Sequence, residues 1–109
     1  MGNTYTNAKK DLTTNSATVL YTAPSVTTSI VKSILVSEDS GNADTITVTI
    51  TDAESSPATF SLYKTKAISA NATAELLTAP LVLKTGEILK VTAATANRLH
   101  VVASILEIS

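Results

Sequence analysis

The stretch Thr45-Ile46-Thr47-Val48-Thr49-Ile50-Thr51 alternates strictly between threonine and an aliphatic residue. Successive side chains of a β-strand point to opposite faces, so Ile46, Val48 and Ile50 share one face and the threonines share the other. This pattern predicts a β-strand that packs on a core with its apolar face and meets water with its uncharged polar face.

Six further segments of similar character lie before and after this strand. Each is rich in Val, Ile, Leu or Thr and is bounded by turn-forming residues. The segments are 18–22, 29–37, 58–65, 74–78, 87–94 and 99–108. No ten-residue helical pattern lies between them. The sequence therefore predicts a single antiparallel β-sandwich of about seven or eight strands, either jelly-roll-like or immunoglobulin-like.

Length and composition limit the architecture and the partners. The chain has 109 residues and a mass of 11.3 kDa, which is enough for one small domain. Residues 1–16 are polar without apolar periodicity, so we expect a flexible N-terminal arm there and the sandwich domain over residues 17–109. The net charge is −1 and the basic residues are scattered, which argues against a nucleic-acid partner. No apolar run is typical of an export signal or a membrane span, so we expect neither export nor a membrane partner.

The alternation within the segments predicts which side chains form the core. They are Ile34, Val36, Ile46, Val48, Ile50, Phe60, Leu62, Leu89, Val91, Val101 and Ile105. Two segments are apolar on the other face as well, where Val31, Leu35, Val102 and Leu106 lie. In a monomer these four side chains would expose a contiguous apolar patch, so they are candidate contacts with another subunit. Tyr63 is a further candidate contact, with an ordinary half-buried strand tyrosine as the alternative interpretation.

The residues give no sign of a reactive site. His100 is the only histidine and cysteine is absent, which excludes a multi-histidine or thiolate metal site. No nucleophile-elbow or glycine-rich phosphate motif is present, so we predict no catalytic residues, no cofactor and no enzymatic activity. The acidic residues nearest one another lack the spacing of a calcium loop, so we interpret them as solvated loop ends and leave calcium binding open. They are Glu38, Asp39, Asp44, Asp52 and Glu54.

Five stretches, taken together, resemble a known group of proteins. They are Val19-Leu20-Tyr21-Thr22-Ala23-Pro24 and the segments 28–36, 40–48, 80–91 and 99–108. This combination resembles small virion proteins of tailed bacteriophages that open with a "LYTAP" strand. The resemblance covers about residues 18–108 and rests on scaffold motifs, so it implies a β-sandwich and a virion role more than a place within the virion.

Bacteriophage proteins with this sequence pattern serve as capsid cement (decoration) proteins or as tail or neck components. The resemblance implies first a cement protein that binds the major capsid protein on the capsid exterior, assembled in the bacterial cytoplasm. It also implies a homotrimer at the junctions between capsid subunits. The five candidate contacts would then face another subunit or the capsid. The alternatives are a tail or neck accessory and a receptor-binding or carbohydrate-binding module of the virion.

Overall fold

Nine antiparallel β-strands in two sheets make up the chain in a computed structural model that describes residues 2–109. Their bounds are β1 (Asn3–Asp11), β2 (Thr18–Thr22), β3 (Thr28–Glu38), β4 (Asp44–Thr51), β5 (Thr59–Ile68), β6 (Thr73–Glu75), β7 (Leu81–Leu83), β8 (Ile88–Ala93) and β9 (Leu99–Ile108). Sheet A has the order β1-β9-β3, with β6 and β7 both pairing with the far edge of β3, and sheet B has the order β2-β8-β4-β5. The predicted all-β sandwich is confirmed. No helix able to cross a membrane occurs within residues 2–109.

The strands pair in a nested order, like one long hairpin whose two arms run side by side. β4 pairs with β5, β3 with β6 and β7, β2 with β8, and β1 with β9. Rolling up this ribbon adds the pairs β3–β9 and β4–β8, which complete the two sheets. With β6 and β7 counted as one interrupted strand, this is the eight-stranded jelly roll. Of the two sandwich types that the sequence predicts, the structure therefore has the jelly roll and not the immunoglobulin-like one.

The core lies between the inner faces of the two sheets. Most of the predicted core residues are fully or almost fully buried there, while Ile50 and Leu62 are half-buried at its margin. The buried predicted residues are Ile34, Val36, Ile46, Val48, Leu89, Val91, Val101 and Ile105. Alternation therefore identifies the inward face of most strands.

Phe60 corrects the predicted core. It keeps the inward parity, because it pairs with Ile50 across β4 and β5, but 54% of it is exposed. Residues 53–61 at this end of the β4–β5 hairpin are all exposed, so sheet A does not cover them. Parity gives the side of a strand on which a residue lies, and burial also needs a facing sheet.

Strand β1 corrects the expectation of a flexible arm over residues 1–16. Asn3–Asp11 pair with β9 over their whole length without a register shift, and the following Leu12 is buried. In β1 only Ala8 is even half-buried. An edge strand of this kind is held mainly by backbone hydrogen bonds, which leave no apolar periodicity in the sequence. Met1 lies outside the described residues.

A polar contact links the two sheets at one end of the sandwich. The Tyr21 hydroxyl, from β2 in sheet B, donates to the Glu107 carboxylate on β9 and lies 2.8 Å from the Ser29 hydroxyl on β3. Burial, together with the hydrogen bond to Glu107, raises the pKa of Tyr21 to about 12. Tyr21 therefore remains a hydrogen-bond donor across the physiological pH range, and this contact ties sheet B to both central strands of sheet A.

The two positions Ile46 and Phe60 give a direct test of the observed core. Ile46→Ala should lower the free energy of unfolding by about 2 to 5 kcal/mol, because Ile46 is fully buried and the variant leaves a cavity. Phe60→Ala should cost only about 1 kcal/mol, since half of its surface already meets water. Urea denaturation followed by circular dichroism measures both values. Equal losses at the two positions would contradict the exposed placement of Phe60.

Candidate contact surface

The outer faces of the two sheets differ in composition. The outer face of sheet B carries mainly threonines, among them Thr45, Thr47 and Thr49 of β4 and Thr92 of β8. The outer face of sheet A carries a row of apolar side chains that lie directly opposite one another on four adjacent strands. In strand order the row is Tyr5, Leu106, Ile30 and Val82. Strand spacing gives this row a length of about 14 Å.

The members of this row, called here the outer row, are exposed to different degrees. Tyr5 is 75% exposed and Val82 is 54% exposed at the two ends, while Leu106 and Ile30 are half-buried between them. The two ends of the outer row are therefore open to a partner. Only Leu106 belongs to the predicted contacts. The alternation of 99–108 identified it, whereas Tyr5 lies in a segment without apolar periodicity.

Leu35 and Val102 form a second apolar contact on the same face. They are opposite each other on β3 and β9 and are 40% and 37% exposed. Lys9 on β1 flanks Val102, and Glu75 on β6 flanks Leu35. The structure therefore brings the predicted residues Leu35, Val102 and Leu106 together on the outer face of sheet A. Their contact with another subunit stays a prediction.

Val31 is a correction to the predicted contacts. It is completely buried and packs in the core, so it cannot touch a partner. Lys32 has no partner in the register between β3 and β9, so β3 has a β-bulge at this residue. One extra residue reverses the parity of everything on the other side of it, so Val31 turns inward and Ile30 turns outward. The sequence pattern, which assumes a regular strand, assigns these two residues to the opposite faces.

Tyr63 lies on β5 at the open side of the sandwich, next to the connection from β6 to β7. It is half-buried against the core, and its hydroxyl donates to the main-chain carbonyl of Leu76. This arrangement matches the alternative interpretation, a half-buried strand tyrosine. Its hydrogen bond holds an edge of sheet B to an edge of sheet A.

Three of the five acidic residues singled out in the sequence, Glu38, Asp44 and Asp52, accept hydrogen bonds from the protein's own backbone. Glu38 is buried and accepts hydrogen bonds from the amides of Ser40, Gly41 and Asn71 at 2.8, 2.9 and 3.1 Å. Asp44 accepts from the amide of Thr95. Over residues 2–109 no three His, Asp or Glu side chains come together in a group that could hold a metal ion. Because Glu38 accepts hydrogen bonds from both segments, it ties the β3–β4 loop to the β5–β6 loop.

His100 lies on the outer face of sheet A beside the edge strand. Its Nε2 atom is 3.3 Å from Oδ1 of Asp11, which is its partner in the β1–β9 register, and both side chains are well exposed. An exposed pair of this kind contributes little to stability, roughly 0 to 1 kcal/mol. The geometry makes His100 a surface contact between β1 and β9.

Comparison with known proteins gives a likeness of fold. Neither a protein-family model nor a curated protein sequence matches the chain. A chain in the structure of infectious bursal disease virus, Gt strain, is similar in structure, with a TM-score of 0.51 and 11% sequence identity. The similarity covers 98% of this chain but only 30% of the viral chain. The two chains thus share the sandwich fold over nearly all of this protein.

The loop contacts of Glu38 predict a dependence of stability on acid. Burial alone would raise the pKa of Glu38, but hydrogen bonds from Ser40, Asn71 and Gly41 outweigh it and lower the pKa from 4.5 to about 2. A lowered folded-state pKa stabilises the folded protein above the unfolded-state value, and this stabilisation is lost as the pH falls from about 4.5 towards 2. Glu38→Gln should lower stability at pH 7 and flatten this acid-induced decrease.

Urea denaturation at a series of pH values measures this effect. Asp39→Asn is the matched control, because Asp39 is the exposed neighbour of Glu38. The control should follow the wild-type pH profile. A Glu38→Gln profile as steep as that of the wild type between pH 4.5 and 2 would show that another group causes the acid sensitivity.

Proposed function

We propose that the protein is a non-enzymatic structural component of a virus particle, attached through the outer face of sheet A. The asymmetry between the two outer faces carries this proposal. Sheet B presents mainly threonine to the solvent, while sheet A presents the outer row and the pair Leu35 and Val102. A face of this kind, rimmed by polar residues, is typical of a protein–protein contact.

The fold supports a virion role without specifying one. Jelly rolls occur in viral capsid proteins, and also in lectins and cupins, so the fold by itself does not fix a function. The structural likeness to a chain of infectious bursal disease virus agrees with a virion component. The resemblance of residues 18–108 to virion proteins of tailed bacteriophages favours the same role.

The more specific proposal is a capsid cement protein of a tailed bacteriophage. Its partners would be the major capsid protein and copies of itself, on the exterior of capsids assembled in the bacterial cytoplasm. Binding across the junction of several capsid subunits stabilises the shell, because anything that binds only the assembled state favours that state. Three copies around a threefold junction are the arrangement that the resemblance implies, with Leu35, Val102 and Leu106 as contacts.

A charge introduced into the outer row should abolish attachment. Leu106→Asp places a carboxylate between Ile30 and Tyr5, where burial against a partner would remove the water that solvates it. The expected result is loss of co-sedimentation with capsids that lack the protein, while the far-UV circular dichroism remains that of a β protein. Thr92→Asp, which puts the same charge on the outer face of sheet B, is the control and should still bind. Unchanged binding by Leu106→Asp would contradict attachment through sheet A.

Copy number in purified virions distinguishes the cement protein from the alternative of a tail or neck accessory. A cement protein should approach the amount of the major capsid protein, since it repeats over the whole shell. A tail or neck component should be present in far fewer copies. The ratio of the two band intensities on a stained gel gives this answer, and a band too weak to repeat over the shell would exclude the cement role.

A further inference from the structure

The sandwich has four exposed sheet edges, and three of them are poor templates for pairing with another strand. β2 has five residues and a register shift, and β5 has two register shifts beside Lys64 and Lys66. The edge opposite β1 in sheet A is divided into two three-residue strands, with Pro80 between them. Short strands, bulges, lysines and prolines at edges are the usual protection against unwanted strand pairing.

β1 is the exception among these edges. It runs for nine residues in unbroken register with β9. Gly2 and Ser109 exchange two backbone hydrogen bonds, of 3.1 and 3.0 Å, immediately before this register begins. Opposite residues of an antiparallel pair alternate between hydrogen-bonded and non-hydrogen-bonded positions. The even-numbered residues of β1 therefore form the backbone hydrogen bonds to β9. Asn3, Tyr5, Asn7 and Lys9 therefore direct their N–H and C=O groups away from the sheet.

We propose that β1 pairs with β1 of a second copy of this chain, antiparallel and centred on Asn7. This register matches all nine residues of each strand. It also places odd residues opposite odd residues, so that the free backbone groups of the two copies meet as hydrogen-bonded pairs. The two-fold axis passes at Asn7, and the two A sheets join into one continuous sheet.

Side-chain charge supports the same register. Lys9 lies opposite Tyr5 of the second copy, on the same face, where the ammonium group can rest on the aromatic ring. Lys10 lies opposite Thr4, and Asp11 lies opposite Asn3. Registers centred on Lys9 or Lys10 would place two lysines directly opposite each other, which is destabilising. The contact also gives the highly exposed Tyr5 a partner, and it aligns the outer row of each copy with Lys9, Val102 and Leu35 of the other copy.

This contact does not depend on the proposed virion role. It also predicts the number of copies in a closed assembly. A two-fold contact joins identical surfaces, so closed assemblies that use it contain an even number of copies. A threefold contact on the shell through Leu35, Val102 and Leu106 would use a different surface.

A single cysteine tests the register, because the natural chain has none. In a hydrogen-bonded antiparallel pair the Cα atoms are about 5.5 Å apart, which a disulfide can bridge. Asn7→Cys should therefore form a covalent dimer under mild oxidation. Tyr5→Cys should not, because its two copies lie about 13 Å apart, and adding Lys9→Cys to Tyr5→Cys should restore the crosslink. No crosslink for Asn7→Cys, or equal crosslinking of both single variants, would overturn the proposal.

A proline at the same position tests the backbone hydrogen bonds. Asn7→Pro removes an N–H that faces away from β9, so the fold should persist, as circular dichroism would show. Each dimer loses two hydrogen bonds, so association should weaken by at least about tenfold in sedimentation over a concentration series. Asn7→Ala keeps the N–H and should associate like the wild type. A wild-type protein that is strictly monomeric or trimeric would overturn the edge contact and leave the capsid-binding experiments to decide the proposed function.

Discussion

The pairing of β9 with β3 is the contact on which the rest of the sandwich depends. β9 buries Leu99, Val101, Ala103 and Ile105 against sheet B, and it holds β1 on one side and β3 on the other. β3 in turn holds β6 and β7. These two central strands come from opposite halves of the chain, so sheet A cannot form before its last segment is available. The entropy of closing so long a loop is offset only when both sheets bury their inner faces together.

Local sequence patterns identify strands and faces well, and they fail where the chain departs from a regular two-layer sheet. The alternation at Ile46 and Val48 correctly predicts inward side chains, because β4 is a central strand covered by the other sheet. Alternation gives the wrong face at Val31, where a bulge at Lys32 reverses the parity. It gives the wrong burial at Phe60, where no sheet faces the inward side. Neither a bulge nor the extent of the facing sheet leaves a local signal.

The topology and the first strand could not be predicted for a related reason. A jelly roll and an immunoglobulin-like sandwich use strands of the same length and alternation, and they differ in which distant strands pair. β1 joins the fold as an edge, where exposed polar residues such as Asn7 and Thr6 satisfy backbone pairing as well as apolar ones do. Of the predicted contacts, Val102 and Leu106 share one face because β9 is regular along its length, and Leu35 lies opposite Val102 beyond the bulge at Lys32.

The acidic residues show how a chain with three glycines and three prolines closes so many loops. Their carboxylates accept hydrogen bonds from backbone amides that the strands leave unpaired, and the acceptors include Glu38, Asp44, Asp52, Glu75 and Glu87. Hydrogen bonds with Ser33, Ile34 and residues 76–77 likewise outweigh burial and lower the pKa of Glu75. A carboxylate committed to amides has fewer lone pairs left for a cation. The sequence leaves calcium binding open for the acidic residues between 38 and 54, and the fold uses three of them, Glu38, Asp44 and Asp52, to hold loops. Acid should therefore loosen the segments that Glu38 and Glu75 hold before it affects the apolar layer between the sheets.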